Sequence, residues 1–308
     1  MNALRRLLWG LGNRNVLFIA AIVLGITAGE WAQYTKAWTL PALAVALALS
    51  STQVEASAFR PWRKLVHPTR VSVFLNFVLQ AATMLLFARV LVPERELWPG
   101  FVMAAAVPPA VGVVSFTDVA GGDVTFSLLG MVGAYLSSLV ITPAMVLLLA
   151  GESSVHPLDL VRILVQLVLV PLLASRLLLA SPLKQPIARW RGTISNWVFA
   201  LVLFTSTGLN RQVFLREPRL VLLISLVTVL RTFGLAIIID QVLKHRHADR
   251  ATRISYVLMG TLKNSSFAAA TALALFGERT AIPSGVAAAV AVLYLLWLSL
   301  RWGSPNEV

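Results

Sequence analysis

Ten stretches of this 308-residue chain are each apolar enough, over about 20 residues, to cross a bilayer as a helix. They run over 16–32, 37–53, 71–91, 97–119, 124–150, 158–179, 194–209, 220–242, 254–276 and 283–300. A spanning segment must satisfy its backbone N–H and C=O groups internally, so the pattern restricts the chain to an all-α integral membrane fold. Only 13% of residues are charged, against about 25% in a soluble domain. The longest polar interruption is the basic stretch 55–70, which leaves no room for a soluble catalytic domain. The absence of cysteine removes disulfides, iron–sulfur clusters, thiolate zinc sites and thiol nucleophiles. The first dozen residues are basic but too weakly apolar for a cleaved signal.

The formal charge is +13. A balance this basic points to nucleic acid in a soluble chain; here it reads as topology, because cytoplasmic loops of membrane proteins collect Lys and Arg. With the N-terminus inside, 16 of the 26 basic residues fall on the inner side and 8 on the outer. Both termini are therefore expected in the cytoplasm of a cell-membrane protein whose surroundings are the lipid bilayer, with no nucleic-acid partner. Eight tryptophans, among them Trp31, Trp98 and Trp297, fall mostly near span ends, as interfacial anchors do. Two cations, Arg231 and Lys263, belong to neither side.

The fourth span contains Pro108-Pro109-Ala110-Val111-Gly112, and the ninth contains Gly260-Thr261-Leu262-Lys263-Asn264-Ser265-Ser266. The prolines remove two backbone donors, and the second run is small and polar inside hydrocarbon. The breaks lie five spans apart. Five spans per half is an odd number, so the predicted fold is two inverted five-helix repeats with broken crossing helices four and nine. Paired interruptions of this kind point to a secondary-transport site. The competing reading is two unrelated kinks of the sort membrane helices tolerate.

The run Pro108 to Val124, with Ile141-Thr142-Pro143-Ala144, resembles spans four and five of the bile acid:sodium symporter superfamily, and Lys263-Asn264-Ser265-Ser266-Phe267 resembles its span nine. The resemblance implies a panel (1–67 and 151–217) and a core (68–150 and 218–308), alternating access between them, and organic-anion transport. The family's sodium ligands are largely replaced. Val113 and Val114 stand where the family carries a Ser-Asn pair. Met259 and Lys263 stand for the Glu and Gln of its second crossing. Asn76 and Ser127 match other family ligands. Sodium needs several hard oxygens, so the coupling ion is expected to be H+ rather than Na+. The superfamily also holds arsenite efflux permeases, whose first crossing uses a cysteine; Pro109 stands at about that place here.

A Lys at mid-depth is a functional hypothesis by default. Lys263 has three open roles: a tethered charge holding the crossing, a titrating group, or a direct ligand of an anionic substrate. Its expected partner is Asp118, one helical turn beyond Val114, with proton exchange between the two as the hypothesis. The alternative is that Asp118, with Gly121, Gly122 and Asp123, only turns the chain into span five. Arg231 cannot release its proton, and its guanidinium suits a carboxylate or sulfonate; it otherwise bridges to a carbonyl or to Asp118. Asp240, Arg89 and Arg176 are expected to snorkel to the interface. The small residues Gly130, Gly133, Ala134, Ser137 and Ser138 are read as helix packing.

The predicted function is secondary transport of a small organic anion, sodium-independent and proton-coupled through Lys263 and Asp118. The alternatives are an arsenite-type permease and a sodium symporter with altered ligands. The expected site comprises Asn76, Pro108, Pro109, Asp118, Ser127, Arg231, Lys263, Asn264 and Ser265. No intramembrane enzyme motif is found: there is no His-Glu-x-x-His, and every His is expected in a loop. His245-Arg246-His247 is too little for a metal, and no cofactor is expected.

Overall fold

A computed structural model describes residues 14–52, 63–110, 112–150, 158, 162–163, 165–182 and 184–302. The basic N-terminal segment, the first part of the basic stretch, Val111, His156 and most of 151–164 lie outside the described residues. Regular structure among the described residues is helical throughout, with no strand. The elements are α1 Arg14–Thr27, α2 Thr39–Ser51, α3 Arg63–Leu91, α4 Trp98–Ala106, α5 Val113–Val119, α6 Val124–Leu149 and α7 Val170–Ala180. They continue with α8 Lys184–Leu209, α9 Arg211–Arg216, α10 Pro218–His245, α11 Arg250–Thr261, α12 Ser265–Phe276 and α13 Ile282–Trp302.

Among the described residues, five helices are long and apolar enough to cross a membrane: α3, α6, α8, α10, and α13 with its leading turn. The bent pair Val16–Thr27 and Gly29–Leu49, turned by 92°, makes a sixth if it counts as one span. The fourth and ninth predicted spans each divide into two half-helices, α4 with α5 and α11 with α12. Large apolar side chains such as Leu148, Val140 and Leu300 point outward, the arrangement expected where the surroundings are hydrocarbon. The half-helices α4 and α12 pack into one buried cluster around Phe101, Ile224 and Phe267.

Several boundaries differ from expectation. The stretch 55–70 is already helical from Arg63, because α3 extends well beyond its apolar part. The predicted span 194–209 begins at Lys184, so its first turns carry basic residues up to Arg191. His67 and His245 sit in α3 and α10, not in loops. Asp240 does not snorkel. It is 2% exposed and is held by Arg253 and Arg301, each at 2.7 Å. Arg176 turns inward to the carbonyl of Ser51 at 2.6 Å, meeting the C-terminal end of α2. Asp123 caps α6, its Oδ1 accepting from the Phe126 amide at 2.9 Å. Asp249 caps α11 in the same way, and the Thr252 amide and hydroxyl hold its carboxyl below the usual carboxylate range.

The small residues of α6 do pack. A Cβ at Gly133 would fall on Thr69 and one at Gly130 on the Ser72 hydroxyl, both in α3. These glycines let the two backbones approach closely. Gly133→Val is expected to cost about 1–3 kcal/mol through overpacking, read as a lowered midpoint of thermal unfolding in detergent. Gly234→Ala, with open space around its Cβ, is expected to leave that midpoint unchanged or raise it. Asp240→Ala removes the charge-assisted bonds of two partly exposed arginines and is expected to cost about 1.5–3 kcal/mol in the same measurement.

Candidate functional site at the crossing of two broken helices

The helix α4 stops because Pro108 and Pro109 have no N–H to give. In an unbroken helix the Ala105 carbonyl would accept from residue 109. Lys263 supplies the missing donor from across the molecule: its Nζ donates to Ala105 O at 2.8 Å and to Val107 O at 2.7 Å. The Thr142 hydroxyl covers the carbonyl between them, donating to Ala106 O at 2.6 Å. An ammonium at a helix C-terminus also meets the negative end of the macrodipole. The ring of Phe77 lies 5.0 Å from the Lys263 nitrogen, within cation–π range.

The second break mirrors the first. The helix α11 ends at Thr261 with Leu262 extended. Its Met259 carbonyl is taken by the Nδ2 of Asn76 at 2.7 Å. Asn76 lies in a π-helical stretch of α3, Phe74–Gln80, a local widening frequent at functional positions. The two unwound segments pair antiparallel through Pro109 and Lys263. The Ala110 amide donates to Leu262 O at 3.0 Å, and the Asn264 amide donates to Pro108 O at 3.2 Å. Asn264 then starts α12, accepting from the Phe267 amide at 3.1 Å while its Nδ2 donates to the Tyr135 hydroxyl at 3.0 Å.

A cavity of about 490 Å³ opens beside this crossing. Lys263, Asn264, Ser265 and Ser266 form one wall, Ser115 and Phe116 of α5 a second, and Arg191, Ser195 and Asn196 of α8 a third. The structure thus brings Pro108, Pro109, Asn76, Lys263, Asn264 and Ser265 to one place. Of these, Lys263, Asn264 and Ser265 line the cavity, while Asn76, Pro108 and Pro109 meet the crossing without lining it, and three further expected residues, Ser127, Asp118 and Arg231, stand outside both groups. Ser127 is buried and shares a hydrogen bond with Thr117 at 2.9 Å, joining α6 to α5. Asp118 is exposed at the end of α5, and its carbonyl receives the Gly121 amide in the turn to α6. No Lys263–Asp118 ion pair exists among the described residues, because Lys263 points to the end of α4, not along α5. The expected proton-exchange pair is therefore corrected.

Arg231 is 4% exposed in α10. Its Nη2 donates to the Thr232 hydroxyl at 2.8 Å, while Nε and Nη1 have no partner among the described residues. It bridges neither to a carbonyl nor to Asp118. Three cavity-lining or buried polar positions escaped the sequence reading. Arg191 was counted as a loop charge, and only the length of α8 places it on the cavity. Thr142 was read as part of a motif, not as a cap. Gln80, fully buried with both amide atoms unpartnered, follows Asn76 by four residues, which is the one signal that pointed to it.

Thr142→Val leaves the Ala106 carbonyl buried and unmet, and is expected to cost about 1–3 kcal/mol. Lys263→Met strips two carbonyls at once and is expected to cost at least as much. Both are read by thermal unfolding in detergent.

Residues 16–297 match the SBF-like CPA transporter family. A rice protein (Oryza sativa subsp. japonica) named probable sodium/metabolite cotransporter BASS3, chloroplastic, is 24% identical over 247 residues, which is 78% of this chain and 58% of that protein. The chain thus matches less than two thirds of that relative's length. A transporter family accounts for the apolar helices and the buried crossing without any enzymatic chemistry. This multi-pass membrane chain belongs to the SBF-like CPA transporter family.

Proposed function

We propose that this chain is a secondary transporter that carries a small organic anion by alternating access, coupled to H+ rather than Na+. The observation that carries the reading is the cavity at the crossing, where Arg191, Asn196 and Ser266 offer N–H and O–H donors and no carboxylate stands among the lining residues. A guanidinium in such a pocket matches a carboxylate or sulfonate through a forked contact. The fold behind the proposal is a ten-span pair of inverted repeats in a cell membrane with both termini cytoplasmic. The antiparallel meeting of two breaks, each with its C-terminal end capped by a side chain from elsewhere, supports it. In this reading the panel is 1–67 with 151–217, and the core is 68–150 with 218–308.

Sodium independence rests on what surrounds the crossing. Val113, Val114 and Met259 belong to a buried apolar cluster and offer no side-chain oxygen. A tethered ammonium stands among the helix ends instead. Of the two ionisable groups on the cavity wall, Arg191 holds its proton and Lys263 is able to release one. A neutral amine keeps two N–H groups, enough for both carbonyl bonds, so proton release at Lys263 need not open the crossing.

The test is uptake of a panel of labelled carboxylates and sulfonates into proteoliposomes, with sodium and pH gradients imposed separately. Uptake is expected to follow the pH gradient and ignore sodium. Lys263→Gln is expected to flatten the pH profile. Arg191→Gln is expected to raise the half-saturating concentration by about 10- to 100-fold, the range for losing a charge-assisted hydrogen bond. The rice relative's name favours a second reading, sodium symport, and strict sodium dependence would establish that one instead. Movement of arsenite with no anion uptake would favour the permease alternative.

A further inference from the structure

The cavity at the crossing lies toward one end of the helix bundle. Phe18 early in α1, Arg191 in the first turns of α8 and Leu295 late in α13 line it. At the opposite end, where α1 and α8 finish and α13 begins, the same elements are tied together. The knot is the turn 277–281 between α12 and α13. Gly277 takes a φ of +95° there, a conformation open to glycine. The Thr280 hydroxyl closes the turn, donating to Gly277 O at 2.7 Å with Ala272 O as a second acceptor at 3.0 Å.

Contacts reach this turn from several elements. From the segment after α1, Lys36 Nζ donates to Glu278 Oε1 at 2.8 Å. From the end of α8, Asn210 Nδ2 donates to Glu278 O at 2.9 Å. Arg279 gathers two acids, Glu217 ahead of α10 at 3.3 Å and Glu96 ahead of α4 at 3.5 Å. The start of α4 also presses on the turn, since a Cβ at Gly100 would fall on Thr280 O. Beneath the turn α8 and α13 are in close contact. Ser206, one helical turn before Asn210, is 3% exposed, and its hydroxyl lies 3.3 Å from where a Cβ of Gly285 would stand.

In the panel-and-core division Lys36, Asn210 and Glu217 belong to the panel, and Glu96, Glu278 and Arg279 to the core. The cavity parts the same two units at the other end. Helix α8 shows both conditions: Asn196 lines the cavity and Asn210 grips the turn, about 21 Å further along the axis. Helix α12 shows them from the core side, with Ser265 and Ser266 on the cavity and the turn directly after Phe276. Lys36 and Glu278 are each 46% exposed, so their pair is individually weak. Weak pairs suit a joint that parts and re-forms.

We propose that the turn 277–281 is a latch, whose pairs to Lys36 and Glu217, together with Asn210, hold this end shut while the cavity is open and part when this end opens. The proposal rests on alternating access as proposed for this chain. Helix α12 joins the two ends, so a ligand at Ser265 and Ser266 bears on the element that carries the latch.

The test uses the full chain in a mild neutral detergent and exploits its lack of cysteine. Ser206→Cys places one thiol beneath the latch, and its labelling by a maleimide is timed. Labelling is expected to be slow. Adding Lys36→Glu is expected to speed it by about 3- to 10-fold, the range for losing one exposed pair and gaining one repulsion. Adding Glu278→Lys as well restores the pair in reverse and is expected to return the rate to that of Ser206→Cys alone, which loosened packing would not do. Arg279→Gln breaks the latch independently, should Lys36→Glu prove too unstable to purify. The coupling is tested by Ser115→Trp, which fills an exposed position on the cavity wall and obstructs closure there. It is expected to suppress the faster labelling caused by Lys36→Glu. A rate that neither Lys36→Glu nor Arg279→Gln changes, or a rise that Glu278→Lys does not reverse, overturns the latch and leaves alternating access standing. A reversible rise that Ser115→Trp does not suppress overturns alternating access, and with it the latch as a moving part.

Discussion

The ammonium of Lys263 set against the carbonyl end of α4 is the contact on which the centre of this protein depends. Two prolines end α4 where Ala105, Ala106 and Val107 are fully buried. Ala105 and Val107 are met by one side chain and Ala106 by Thr142. An unmet buried carbonyl costs about 1–3 kcal/mol, so the break is tolerable only because these donors arrive from other elements. Lys263 itself sits in the second break. The group that repairs one interruption is thus carried by the other, and neither half-helix pair is placed without its counterpart. The backbone bonds Ala110 to Leu262 and Asn264 to Pro108 then fix the register. From that register follow the start of α12 and the position of the cavity.

Buried charge is handled in three ways in the same interior. Lys263 is neutralised by oriented carbonyls and an aromatic face. Asp240 is neutralised by two arginines. Arg231 has one hydroxyl partner, and its Nε and Nη1 meet none among the described residues. In the first two arrangements the buried charged atoms meet hydrogen-bond or ion-pair partners. The third is open, and the unpartnered atoms of Asn76 and Gln80 belong with it as buried polar atoms still unmet. Unmet polar atoms of this kind are the exception in folded proteins.

Much of this was legible in the sequence, and the limits follow from physics. The helical class and the two breaks came from hydropathy and from prolines, which act locally. Lys263 and Arg231 stood out because topology left them over once the loop charges were assigned. Partnerships were harder. Asp118 was matched to Lys263 by sign and by helical phase, yet side-chain direction decided otherwise, and two backbone carbonyls took the place of a carboxylate. Carbonyl acceptors carry no residue identity, so sequence cannot point to them. Arg191 was hidden for a different reason. Hydropathy marks where a span becomes apolar, not where its helix begins, and α8 begins ten residues earlier than its apolar part. Gly133 succeeded for the opposite reason: its message is absence of a side chain, which needs no partner to be read.

In the proposed proton-coupled reading, tethering is what separates this crossing from one that holds an exchangeable metal ion. A free cation can leave the helix ends in each cycle and take its charge with it. The Lys263 nitrogen cannot leave; it is fixed to α12 through the backbone and to α4 through two carbonyls. The only charge it can surrender is a proton, and the neutral amine retains two donors for two acceptors. Val113, Val114 and Met259, buried around it, provide no side-chain oxygen for a replacement ion. A crossing built in this way can change its charge while keeping its hydrogen bonds, a property that an oxygen-lined ion site does not have.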